Sequence, residues 1–154
     1  MFIMKKFLKI KEELFKACLL FVSERLETIT HVLESNKKAL HSETKSSAGD
    51  KHETGRAMLQ LEMEKASQQL TSIIQMKEVL SRIDIEKNSK TICLGSVIIT
   101  NKGNYFLSIS AGKITIDAID YFAISTNSPI GKQLLGKEVK DIISFNNAEI
   151  LEIY

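Results

Sequence analysis

Residues 46–58 read SSAGDKHETGRAM and interrupt an otherwise continuous helical pattern over the first half of the chain. The stretch contains Gly49, two acidic residues three positions apart, and basic residues nearby. Small and polar residues around a glycine are typical of a turn, and the chain has no proline before Pro129. The stretch therefore predicts a short connection between two long helices.

Apolar residues before this turn recur at steps of three, four or seven, which is the spacing of a coiled-coil seam. The predicted seam consists of Leu8, Phe15, Leu19, Val22, Leu26, Ile29, Leu33 and Leu40. Glu12 and Asn36 are its polar exceptions. The pattern predicts one helix from about Lys5 to Glu43.

After the turn the same spacing continues and predicts a second helix from about Thr54 to Asp84. Its apolar positions are Leu59, Met63, Ala66, Leu70, Ile73 and Leu80, with Lys77 off the pattern. A helix of roughly 40 residues is about 60 Å long, so pairing of the two helices as an antiparallel hairpin is the simplest topology. We predict a helical domain over residues 1–88 with its tip near 44–54. The start of the first helix is too apolar for the second helix to cover, so we expect it to pack on the C-terminal half.

From Thr91 the pattern changes to short β-rich runs. These runs are TICLGSVIIT (91–100), NYFLSIS (104–110), KITID (113–117), YFAIS (121–125), VKDIISF (139–145) and AEILEIY (148–154). Between them one short helix is predicted, with Ser128 as its cap, Pro129 at its first position and Gly136 at its end. The predicted fold class is therefore α+β, with a helical hairpin followed by a small, mainly antiparallel sheet carrying one helix over residues 89–154.

Charge and cysteine content limit the function classes. Residues 1–90 hold 16 Lys and Arg against 13 Asp and Glu, and the rest hold 5 against 6, so the net charge of +2 does not indicate nucleic-acid binding. Cys18 and Cys93 form no paired or metal-binding motif, which favours a reducing compartment and a cytoplasmic location. Charged residues interrupt the apolar start, so neither secretion nor a membrane partner is expected.

Asp50 and Glu53 allow two compatible interpretations. As N-cap and third helical residue they form a capping-box variant at the positive end of the helix dipole. As exposed carboxylates on a tip, they can complete the coordination of a Mg²⁺ held mostly by another molecule. Other candidates are weaker: His41 and His52 have no ligand spacing and are expected to be surface histidines, and Cys93 is expected to be a buried strand cysteine.

Two motifs resemble the Gre transcript-cleavage factors of bacterial RNA polymerase. GDKHETGRAM, with Gly49, Asp50 and Glu53, is similar to the tip of that family's hairpin. ISTNSPIGKQLLGKEVKD, residues 124–141, resembles the family's C-terminal signature. The residues that match this signature are Ser128, Pro129, Ile130, Leu135, Gly136 and Lys137. The resemblance covers nearly the whole chain, and it implies an FKBP-like C-terminal domain.

The resemblance implies an elongation factor whose hairpin enters the secondary channel of RNA polymerase. Asp50 and Glu53 would share a Mg²⁺ with the polymerase at the 3′ end of the nascent RNA, while Lys45, Lys51 and Arg56 would contact RNA or polymerase. The factor would then complete the polymerase's own cleavage site and would not itself be an enzyme or hold Mg²⁺ stably. A monomer is expected, and DNA binding is a further expectation from the resemblance.

The sequence leaves three alternatives open. Thr54, Arg56, Ala57 and Ser46 depart from the family's usual tip residues, which is compatible with a channel-occupying regulator that does not stimulate cleavage. An FKBP-like module could also serve as a prolyl isomerase or chaperone, which needs an aromatic-lined pocket. A seam that pairs between chains would instead produce a coiled-coil scaffold.

Overall fold

A computed structural model describes the backbone of residues 1–44 and 49–154 and the side chains of residues 1–42 and 54–154. Two long helices open the chain, α1 (Phe2–Thr44) and α2 (Gly49–Ser81). The predicted helix α1 is confirmed; it begins three residues earlier and ends one residue later than predicted. Helix α2 begins five residues earlier than the periodicity predicted, because helical backbone extends through the polar residues that carry no apolar pattern.

The rest of the chain forms a six-stranded sheet and one short helix. The strands are β1 (Val97–Thr100), β2 (Gly103–Ser108), β3 (Gly112–Ile116), β4 (Ile119–Ser125), β5 (Ile142–Ile143) and β6 (Ala148–Ile153), and helix α3 (Pro129–Leu134) follows β4. The strand order is β3-β4-β2-β1-β6-β5. All neighbours are antiparallel except β2 and β4, which are parallel. The α+β fold class predicted from sequence is confirmed.

Two of the predicted strands are five or six residues longer than those that the structure shows. Residues 91–96 precede β1 and are not in a strand, and only Ile142–Ile143 of the run at 139–145 joins the sheet. The backbone of Gly95 has a φ of +92°, and that of Lys140 has a φ of +78°. These left-handed residues end the extended conformation, so the neighbouring β-branched residues cannot continue a ladder.

The chain divides into two compact units. Unit 1 comprises Met1–Phe21 and Glu78–Tyr154, and unit 2 comprises Val22–Lys77. Each long helix therefore contributes one end to unit 1 and the remainder to unit 2. The domain boundary near residue 88 stays a prediction, since these units follow packing and do not correspond to a single cut along the chain.

Unit 2 is a pair of helices held together by the predicted seam. Ile29 on α1 and Ala66 and Ile73 on α2 are buried, and the other predicted positions within this unit are half-buried or buried. Residues between 24 and 32 and between 69 and 76 line one groove. Only four residues separate the end of α1 from the start of α2, so helices that lie side by side at this groove run antiparallel. Half-buried Met76 takes the place that exposed Lys77 would otherwise occupy in the seam.

The start of α1 buries a different stripe from the one predicted. Ile10, Leu14 and Cys18 are buried, whereas Leu8 and Leu19 are exposed, so the predicted single seam is wrong over this part of the helix. The reason is the surface that covers it: Cys18 Sγ lies 3.7 Å from Ser108 Oγ on β2. The expectation that the apolar start of α1 packs on the β-rich part is confirmed.

Helix α3 begins as the sequence predicted. The Ser128 hydroxyl oxygen accepts a hydrogen bond from the Gly131 N–H at 3.1 Å, and the same hydroxyl donates to the Ser125 carbonyl at 2.7 Å. Pro129 occupies the first helical position, where its missing N–H costs no hydrogen bond. The cap therefore joins the end of β4 to the first turn of α3.

Two glycines are required around α3 for different reasons. Gly136 has a φ of +81°, and its N–H donates to the Ile92 carbonyl at 2.8 Å. At Gly131 a Cβ would overlap the carbonyl oxygen of Ser125. Close approach of α3 to the end of β4 seats Leu134 in the core, where it is fully buried. The glycines of the C-terminal signature therefore serve the fold.

We expect Gly131→Ala to destabilise unit 1 by about 3 kcal/mol, because the added methyl group forces α3 away from β4. Urea unfolding followed by tyrosine fluorescence measures this, since Tyr105, Tyr121 and Tyr154 all lie in unit 1. Lys132→Ala is the control, because Lys132 is exposed on the same helix and receives the same side chain. Equal stability of the two variants would contradict the steric argument.

A second prediction tests the seam of unit 2 with neighbouring isoleucines. Ile73 is 7% exposed and Ile74 is 52% exposed. We expect Ile73→Ala to reduce the free energy of unfolding by roughly 2–4 kcal/mol and Ile74→Ala by under about 1 kcal/mol, because only the first leaves a cavity. Helical circular dichroism during urea unfolding distinguishes them. A larger loss for Ile74→Ala would mean that the helices pair through the other stripe.

Candidate functional site

The acidic pair lies at the start of α2. Four residues, 45–48, separate the last residue of α1 from Gly49, and Asp50 and Glu53 are the second and fifth residues of α2. The prediction that Asp50 is the N-cap is therefore wrong at the level of the backbone, because Asp50 is inside the first helical turn. Both side chains lie outside the described residues. Their backbone positions keep them at the positive end of the helix dipole.

Positions three apart on a helix are neighbours on one face. Asp50 and Glu53 meet this condition, and so do Glu53 and Arg56. Within unit 2, α2 continues from the acidic pair to Lys77, which corresponds to about 40 Å of helix axis at 1.5 Å per residue. The two acidic positions thus lie at one end of unit 2 and share a face with a basic position.

The basic candidates are described to different extents. Arg56 is exposed on the second turn of α2. The backbone of Lys51 belongs to the first turn of the same helix, while its side chain lies outside the described residues. Lys45 lies wholly outside them. The contacts predicted for these residues with RNA or polymerase remain predictions.

The C-terminal signature separates into folding residues and accessible residues. Ser128 caps α3, and half-buried Ile130 packs against the core of unit 1. In contrast, Leu135 is exposed, and so are Pro129 and Lys137. A docking role is therefore available to the exposed members, while the capping serine and the glycines are already explained by the fold.

Sequence reasoning missed an exposed apolar surface next to α3. Val139, Ile142 and Phe145 are all exposed. Gln133 on α3 accepts a hydrogen bond from the Phe145 N–H at 2.8 Å, which ties the turn between β5 and β6 to the helix. The sequence predicts one strand over 139–145, and the signal against so long a strand is Asp141, a charged residue within the run.

The described side chains do not form a metal site of their own. Among residues 1–42 and 54–154, no group of three or more His, Cys, Asp or Glu side chains is placed to hold a metal ion. His41 is exposed, as expected for a surface histidine, and the side chain of His52 lies outside the described residues. The side chains of Asp50 and Glu53 lie outside the described residues, so the Mg²⁺ that they are predicted to share remains a prediction.

The two thiols differ in environment. Cys18 is fully buried, and burial raises the pKa of its thiol, an effect that the contact with Ser108 partly opposes. Cys93 is half-buried and precedes β1, so the prediction of a buried strand cysteine is wrong. Its N–H donates to Ser96 Oγ at 3.1 Å, and its sulfur lies 3.7 Å from the same oxygen. All three histidines of the chain precede residue 53, so none lies in the half of the sequence that contains Cys93.

A scan against protein-family models finds no match, and the curated proteins give no significant sequence match. One solved structure, described as "Structure of the transcription factor Gfh1", aligns with a TM-score of 0.33 and 22% sequence identity. The alignment covers 86% of this chain and 90% of that chain. A likeness at this level assigns neither family nor function, so the chain's own residues carry the proposal below. In the described part, no helix combines the length and apolarity needed to cross a membrane.

The thiol environments give a prediction for native protein. We expect an aromatic disulfide reagent such as DTNB to modify Cys93 rapidly and Cys18 only after unfolding, since a fully buried thiol with a raised pKa supplies little thiolate. Titration should release one equivalent of product quickly and a second in denaturant. In Cys93→Ser the fast phase should disappear; its persistence would show that Cys18 is accessible.

Proposed function

We propose that this chain is a transcription elongation factor that binds bacterial RNA polymerase and stimulates cleavage of backtracked RNA. The observation that carries the proposal is the position of Asp50 and Glu53, three residues apart in the first turns of α2, four residues after the end of α1. Two long antiparallel helices could enter a deep, narrow channel. An acidic pair at their connection would then reach the inner end of that channel. The resemblance of residues 49–58 to the tip of Gre factors supplies the identity of the partner.

The acidic pair suits a role in metal-assisted hydrolysis. In two-metal cleavage of a phosphodiester, one ion activates the attacking water and both ions stabilise charge on the phosphate. Carboxylates are the ligands that Mg²⁺ takes from proteins, usually one or two beside waters and phosphate oxygens. Asp50 and Glu53 would contribute such ligands to a Mg²⁺ whose remaining ligands come from the polymerase and the RNA. The isolated chain would accordingly hold no Mg²⁺ stably, and catalysis would belong to the complex.

The C-terminal part supports the proposal through its signature. The order of acidic tip and Ser-Pro-Ile signature along the chain matches the family, and the signature forms a rigid corner through the Ser128 cap and the Gly131 approach. Leu135 and Lys137 extend from this corner into solvent. We assign the docking contact with polymerase to this part of unit 1. The factor acts as a monomer in the cytoplasm, where the polymerase is located.

A regulator that occupies the channel without stimulating cleavage is the second candidate. The observation that favours it is Arg56, which is exposed and three positions after Glu53 on the same helix. A cation at this position can pair with a carboxylate at Glu53 and compete with Mg²⁺ for it. Cleavage activity therefore depends on whether the polymerase environment separates these two charges.

The test is transcript cleavage in a purified backtracked elongation complex of the cognate polymerase. Wild type is compared with Asp50→Asn/Glu53→Gln at concentrations that give equal occupancy of the polymerase. We expect wild type with Mg²⁺ to shorten the RNA and the double variant to lose at least 100-fold in rate, about the effect of removing a preorganised electrostatic group.

The matched control is Glu24→Gln/Glu27→Gln. These glutamates are exposed on α1 and also three positions apart, so the control removes equal charge at the same spacing away from the connection. It should cleave at the wild-type rate. Binding of wild type without any shortening would identify the channel-occupying regulator. Absence of binding would contradict both candidates and leave the isomerase and scaffold alternatives.

A further inference from the structure

A pocket of about 420 Å³ lies within unit 1, away from the acidic pair. Its lining comes from the first three turns of α1, from residues 85–88 after α2, and from the end of β6. Much of the wall is apolar and includes Met4, Leu8, Ile85 and Ile153. The volume falls in the range of small-molecule sites, roughly 300–1,000 Å³.

One buried cation, Lys11, lies in this lining. Lys11 is 3% exposed, and its Nζ donates a hydrogen bond to the Lys87 carbonyl at 2.9 Å. In the described part of the chain, no carboxylate lies within ion-pair distance of it. An ammonium group has three N–H donors, and a buried charge without a counter-ion is costly. Burial lowers the pKa of Lys11, while Cys93 and Asp84 act in the opposite direction.

The other polar groups of the pocket are already occupied or lie at its edge. The ring of Tyr154 stacks on Phe7 with centroids 3.4 Å apart, and its hydroxyl donates to Glu152 Oε2 at 2.6 Å. Lys5 and Glu86 also line the pocket, and both are exposed. Counted together, the lining charges are two positive and one negative. The buried group that remains for recognition is therefore the Lys11 ammonium.

We propose that this pocket binds a small amphipathic monocarboxylate. The carboxylate accepts hydrogen bonds from the Lys11 ammonium, and the hydrocarbon body packs on Met4, Leu8 and Ile153. Charge complementarity selects an anion, and the apolar wall selects a hydrocarbon body over a fully polar ion. The site is independent of the proposed transcription function and is tested without polymerase.

Octanoate is the probe, and 1-octanol and acetate are its comparison ligands. Binding to the full chain is measured by isothermal titration calorimetry and by amide chemical shifts of residues 4–11 and 153–154. We expect octanoate to bind at millimolar concentration or below, and 1-octanol and acetate to bind at least tenfold more weakly. Equal binding of 1-octanol would overturn the role of charge, and absence of octanoate binding would overturn the site.

Two variants distinguish the pocket from non-specific binding. Lys11→Met removes the ammonium, and Leu8→Trp fills the pocket while leaving the bond from Lys11 to Lys87 in place. Each should weaken octanoate binding at least tenfold. Their controls are Lys9→Met and Leu19→Trp, since both residues are exposed on α1 and neither lines the pocket. If Lys11→Met does not fold, Leu8→Trp decides: wild-type binding by it would overturn the proposal.

Discussion

The packing of α1 is the constraint on which the rest of the structure depends. The helix buries Ile10, Leu14 and Cys18 in unit 1 and continues with Val22 and Ile29 in unit 2. Steps of four residues exceed one turn of 3.6 residues, so the buried stripe moves around the helix as it proceeds. Helix α1 is thus shared between the two units, with its first part in unit 1 and the remainder in unit 2.

The sheet of unit 1 depends in turn on a few close backbone contacts. Ile92 pairs through its N–H with the Lys137 carbonyl at 2.9 Å and through its carbonyl with the Gly136 N–H at 2.8 Å. These bonds hold the segment before β1 against the end of α3. On the same helix, the backbone of Gly131 packs closely against the carbonyl oxygen of Ser125. The signature that suggested a binding role is therefore first a folding motif, and only its exposed members remain for a partner.

The candidate site and the pocket around Lys11 differ in how they use charge. The acidic pair lies at the start of a helix, where the positive end of the helix dipole favours carboxylates. Lys11 is held inside, where removal from water makes its charge costly unless an acceptor satisfies it. In the two proposals, the first arrangement would offer two carboxylates to a partner macromolecule, and the second would bind a small anion.

The sequence by itself determined the helices, their antiparallel pairing, the α+β class and the capped start of α3. These features rest on local signals: seam spacing, a turn between long helices, and Ser128 with Pro129. It also placed Asp50 and Glu53 at the connection, although the helix start five residues earlier moved Asp50 from the cap into the first turn. Only the tertiary structure decided which apolar stripe of α1 is buried, because Leu8, Phe15 and Leu19 compete with Ile10, Leu14 and Cys18 at helical spacing. The parallel pairing of β2 with β4 and the burial of Lys11 likewise depend on residues far apart in sequence, which no local pattern brings together.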